Sequence, residues 1–145
     1  MSGPKTNPRA GTDSILVVLG GFGSHQNLVD TVESFCSKTD AWAKLPNLSR
    51  KRRYVSAASV ANKLYVVGGY DGKSRLALVE KLDFGLEKLQ WETVTSMHQR
   101  RGLAGICVYQ GGRILLCTIR RKECTLEASK TTKLDYALRA ARMYS

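Results

Sequence analysis

At 145 residues the chain has the length of one domain and enough material for a buried core. A hydrophobic content of 43% argues against wholesale disorder, yet no run reaches the ~18–20 apolar residues of a membrane span. With 23 basic and 12 acidic residues the net charge is +11, a balance that attracts nucleic acid, anionic membrane or acidic peptide without choosing among them.

Residues 1–14 carry Gly3, Pro4, Pro8 and Gly11 with no apolar core, so they read as a flexible lead-in and not as a signal peptide. Ile15–Leu19 is the first predicted strand, with Leu19 as a bulge or register shift before the turn Gly20-Gly21-Phe22-Gly23. Val29–Phe35 and Ala41–Lys44, around Trp42, follow as two more strands. The next four are Tyr54–Val60, Leu64–Val67, Leu78–Leu82 and Gln90–Val94, with Asn62-Lys63 as a tight hairpin between the first two. Leu64–Val67 is an unbroken apolar run ended by Gly68-Gly69, the pattern of a strand buried on both faces. Asp71-Gly72 then supplies turn chemistry. A third unit opens at Gly102–Tyr109 and begins a strand at Arg113–Cys117. There the pattern breaks, because Thr118-Ile119 stand where two glycines belong. Residues 118–145 read as a divergent basic tail, with a short basic helix over 132–143 behind the capping box Thr132-Lys133-Leu134-Asp135.

Landmarks recur in one order. Gly20-Gly21 returns as Gly68-Gly69 after 48 residues, Val32-Glu33 as Val79-Glu80 after 47, and Trp42 as Trp91 after 49. Arg52-Arg53 returns as Arg100-Arg101 after 48. A period near 50 with short strands denotes a radial β-repeat. Double glycine after an apolar strand, Tyr70-Asp71-Gly72, Val79-Glu80 and a Trp about a dozen residues on resemble kelch repeats. The run from Arg50 through Gly68-Gly69-Tyr70 to Gly105 resembles members of the BTB-kelch family.

The fold class this implies is all-β: a partial kelch β-propeller over residues 15–117, with one complete four-stranded blade and two incomplete ones. Six blades at a 48-residue period need roughly 290 residues, so half a ring is expected here. The resemblance implies a protein–protein interaction module, the substrate-recognition part of a cullin-3 ubiquitin ligase adaptor. Such adaptors reach cullin-3 through BTB and BACK domains, which these 145 residues do not carry, so cullin-3 is expected as a partner only through those domains. A cytoplasmic location, a protein or peptide substrate and self-association through uncovered blades are expected, with no nucleic-acid or membrane partner. The alternatives are an actin-binding cytoskeletal kelch protein and a non-functional truncated product.

Each candidate site has a structural alternative beside it. The Gly-Gly turns open no helix and therefore do not cradle phosphate. Trp42 and Trp91, once per repeat, are expected to pack blade on blade. Glu33 and Glu80 occupy one repeat position and so cannot form a catalytic pair in one cleft; a hydrogen-bonding or salt-bridge role is expected. With His25 and His98 the sole histidines, no catalytic triad can be assembled, and neither an enzyme nor a cofactor is expected. The cysteines Cys36, Cys107, Cys117 and Cys124 lack zinc-site spacing and read as free, mostly buried thiols. The resemblance places Arg52, Arg53, Arg100 and Arg101 at the mouth of a central channel, with Tyr54, Tyr70 and Arg75 completing a candidate peptide-binding rim. A solvated basic loop is the alternative. Gly20, Gly21, Gly68, Gly69, Asp71 and Gly72 are structural repeat positions.

Overall fold

The computed structural model describes residues 14–109, 112–120 and 123–129. Every strand in them is antiparallel to its neighbours. The first sheet is β1 (Ile15–Leu19), β2 (Val32–Cys36) and β3 (Ala41–Leu45), in that order. The second is β4 (Ser56–Val60), β5 (Lys63–Val67), β6 (Val79–Asp83) and β7 (Trp91–Val94), the complete four-stranded blade. The third contains β8 (Gly105–Tyr109), β9 (Arg113–Arg120) and β10 (Glu123–Ser129). The chain is all-β, in line with partial kelch propeller blades. Among the described residues the helical content is one 3-10 turn at Ser24–Gln26. The expected helix over 132–143 lies outside the described residues, as does the lead-in up to residue 13.

The central strand β5 shows why the sheets stack. Leu64, Tyr65, Val66 and Val67 are all buried, so neither face meets water. Successive side chains point to opposite faces. Leu64 and Val66 join Val32 and Leu48 of the first unit in one core, together with Leu82. Val67 joins Val79, Met97 and Leu116 in a second core shared with the third unit. Burying each such side chain is worth about 1.5–3 kcal/mol, so β5 ties three sheets together.

Three local expectations are corrected. Leu19 is neither bulge nor slip: β1 and β5 are both five residues long, and Leu19 pairs with Val32 as Val67 pairs with Val79. The β4–β5 turn is Ala61-Asn62, with φ of 46° and 61°, because Lys63 already pairs with Val60. A left-handed two-residue turn matches the twist of its flanking strands. Finally, β9 does not stop at Cys117 but runs to Arg120 and returns as β10. With no glycine pair to turn the backbone, Thr118 and Ile119 continue the ladder, pairing with Thr125 and Cys124. The register makes Glu127, opposite Leu116, the counterpart of Glu80, opposite Val66.

Candidate functional site

One end of the three sheets is woven from the loops that follow β1 and β5 and those that precede β4 and β8. Gly21 N–H donates to the Arg52 carbonyl at 2.8 Å, and Gly69 N–H donates to that of Arg101, also at 2.8 Å. Gly20 (φ 60°) and Gly68 (φ 62°) sit where a Cβ would collide with those same carbonyls. The glycine pairs thus exist because the next loop's backbone lies against them.

This weave corrects the arginine alignment. Arg52 corresponds to Arg101, a step of 49, and not to Arg100. Arg52 is fully buried: it hydrogen-bonds the Gly68 carbonyl at 3.0 Å and forms an ion pair with the equally buried Glu80. Burial, partly offset by the charge of Glu80, lowers the Arg52 pKa from its ordinary value. Glu80 also accepts from the Ser49 backbone at 3.2 Å. Arg101 is buried as well. Neither guanidinium is a rim ligand; both sit inside the molecule. Glu33, the repeat partner of Glu80, is exposed, and the position one repeat before Arg52 falls outside the described residues. Trp91 donates from Nε1 to the Pro46 carbonyl at 2.7 Å and packs on the core shared by the first two sheets. Trp42 is 57% exposed and meets Phe35 with ring centroids 5.2 Å apart.

The remaining candidate residues do gather. The Arg53 guanidinium lies 4.6 Å from the Phe22 ring, 4.6 Å from Tyr54 and 5.1 Å from Tyr70, an aromatic nest of cation–π contacts. Its buried Nε has no hydrogen-bond partner among the described residues. Backbone bridges join Arg53 to Tyr70 and Tyr70 to Arg75. The Tyr70 hydroxyl donates to the Gly72 carbonyl, while Asp71 accepts from the Lys73 and Ser74 backbones at 2.9 and 2.8 Å. Those two N–H groups, Ser74 first, hold the Asp71 carboxyl below its ordinary pKa. Arg100 is exposed and donates to Ser74 Oγ at 3.3 Å.

Two residues of these loops have an unusual backbone. Tyr54 (φ 58°) and Leu103 (φ 57°) are left-handed without being glycine, and Leu103 N–H donates to the Tyr54 carbonyl at 3.0 Å. Their side chains are 42% and 69% exposed. Bulky residues in that conformation are strained, and such strain concentrates at functional sites. Sequence reading picked Tyr54 and missed Leu103, because a 48-residue step pairs Tyr54 with Gly102. It also passed over Phe22, although Phe22 stands one repeat before Tyr70 and shares its place after the glycine pair. Of the two cysteines whose side chains are described, Cys107 is exposed and Cys36 half-buried. Cys107 turns outward because β8 buries little of its length.

Comparison with known proteins bears on this architecture. The Kelch motif matches residues 10–49 and 51–98, one match over each of the first two sheets. Kelch-like protein 8 of Mus musculus is 34% identical over 79 residues, which are 54% of this chain and 13% of that protein. Kelch-like protein 4 of Homo sapiens is 38% identical over 81 residues, 56% of this chain and 11% of that protein. The Kelch repeat and BTB domain-containing protein F47D12.7 of Caenorhabditis elegans is 30% identical over 120 residues, 68% of this chain and 20% of that protein. The chain spans a fifth or less of the length of these relatives. Two motif matches laid over two stacked sheets, each closed by its glycine pair on the next loop, leave one assignment: the chain belongs to the kelch-repeat family.

Proposed function

We infer that the loop end of this chain binds a protein partner through an extended peptide, with Tyr54 and Leu103 as the apolar anchors. The observation that carries this is their shared left-handed, solvent-facing conformation at equivalent positions of successive repeats. Nothing in the core needs those side chains, so the strain they hold is unrepaid unless a ligand covers them. The basic loops around them (Arg50, Lys51, Lys73, Arg75 and Arg100 against Asp30 and Asp71) favour a partner with acidic character.

Peptide-display selection against the folded chain tests this. Tyr54→Gly and Leu103→Gly relieve the backbone strain, so both variants keep or gain thermal stability while selected peptides lose about tenfold or more in affinity. Peptides that bind both variants as tightly as the parent would overturn the reading.

Within the family, the run from Arg50 to Gly105 resembles the first blades of Kelch-like protein 12. On that footing the binding end would present substrates to a cullin-3 ubiquitin ligase in the cytoplasm, with BTB and BACK domains making the cullin contact. The present chain alone should then fail to co-precipitate cullin-3, and robust capture would contradict this assignment.

A further inference from the structure

Beside the aromatic nest, on the outer part of the same loop end, lies a second feature. A pocket of 260 Å³ is lined by Arg50, Ser74, Ser96 and Arg100, with residues 76–78 completing its wall. The two arginines come from different loops, one before β4 and one before β8, and the two serines from loops on either side of β6 and β7. Among the described residues no carboxylate lines the pocket. Arg50 has a loose contact with Asp71 Oδ2 at 3.7 Å, while Asp71 Oδ1 accepts from the Lys73 and Ser74 backbones. Such a loose pair contributes little and leaves most of the Arg50 donors open. Arg100 bonds Ser74 Oγ and has no acidic partner among the described residues. The bond holds its guanidinium against the pocket wall, and that hydroxyl has a proton of its own to donate inward.

Two guanidinium groups and two hydroxyls around one small volume supply donors and no acceptor charge. We propose that this pocket binds a phosphate monoester on a side chain of the peptide partner. A dianion with three oxygen acceptors matches two cations better than a single carboxylate does, and paired arginines suit its geometry. The site rests on the peptide-binding reading above, since the phosphate arrives on that peptide, and adds a chemical requirement at one point along it.

The test uses the immobilised chain and three small probes: blocked tripeptides Gly-phosphoserine-Gly, Gly-Asp-Gly and Gly-Ser-Gly, measured by surface plasmon resonance. Saturable binding of the phosphoserine probe is expected, weakening with salt, with the serine probe silent. Arg50→Ala and Arg100→Ala each weaken it by about tenfold, as loss of a charge-assisted hydrogen bond does. Both side chains are exposed and outside the cores, so both variants fold. Lys88→Ala, on the β6–β7 connection, leaves binding unchanged. Equal affinity for the aspartate probe would overturn the choice of phosphate. Binding insensitive to both arginine variants, or none at all, would overturn the site. Tyr54→Gly should leave the phosphoserine probe unaffected. Failure here with peptide binding still lost in Tyr54→Gly removes the pocket and keeps the interaction reading; the reverse pattern removes the latter.

Discussion

Arg52 and Glu80 show how one buried pair fixes two loops at once. The guanidinium spans from the Gly68 carbonyl to the Glu80 carboxylate, and Glu80 reaches on to Ser49. Removing one partner leaves the other charged in the interior, which costs about 3–5 kcal/mol, whereas replacing both with apolar residues is often close to neutral. Glu80→Ala should therefore lower the urea midpoint more than the double variant Arg52→Met with Glu80→Leu does. A double variant as unstable as the single one would show that the pair holds more than its own charge. The glycines give a second contrast. Gly68→Ala meets the Arg101 carbonyl as well as a positive φ, while Gly21→Ala meets only the φ of 97°, with nothing within 4 Å of the new Cβ. Strain alone costs about 1–3 kcal/mol, so Gly68→Ala should destabilise more in thermal melts than Gly21→Ala. Asp71 supplies the acid dependence. Its folded pKa is depressed by the Ser74 and Lys73 N–H groups. Its contribution is complete above the ordinary carboxylate range and is lost as pH falls through the depressed value. In an NMR titration the Lys73 and Ser74 amide shifts should move below the ordinary range in the parent and stay flat in Asp71→Asn.

At the scale of strands, legibility followed the apolar pattern. Leu64–Val67 was readable because an apolar run closed by glycines has few alternatives; Ile15–Leu19 was readable from the same pattern although most of its side chains are exposed. The β9–β10 hairpin was not readable past Cys117. Its identity lies in the pairing of two strands with each other, and the expectation of a glycine pair hid a strand that simply runs on. The candidate rim was half legible for a related reason. Arginines at the right spacing look alike in sequence, and only the carbonyl each offers to a glycine N–H separates buried Arg52 and Arg101 from exposed Arg100. β5, flanked on both edges by β4 and β6 and covered on both faces, should hold the slowest-exchanging amides of the described residues. Hydrogen exchange that is faster there than in β3 would contradict the assignment of the two cores.

At the scale of the molecule, the described residues leave one flank bare. Among the described residues β1 is an edge of its sheet and exposes Ile15, Leu16 and Val18, each about half accessible. A hydrophobic strand edge is a template for further pairing. The isolated chain is accordingly expected to self-associate, and Leu16→Lys should shift its light-scattering mass toward the monomer. A parent that elutes as a clean monomer with one cooperative melt would contradict this.

The carbonyl that receives Gly21 N–H belongs to a residue 31 positions later, and the one that receives Gly69 N–H to a residue 32 later. Each glycine pair is therefore latched by chain that leaves the ribosome later than the strand before it. At about 5–20 residues per second the latch trails by roughly 2–6 s. During that interval the glycine turns lack their acceptor, and the sheet is exposed to proteases. Nascent chains arrested with Arg101 still inside the ribosome should be cleaved within 54–94, and those arrested later should resist.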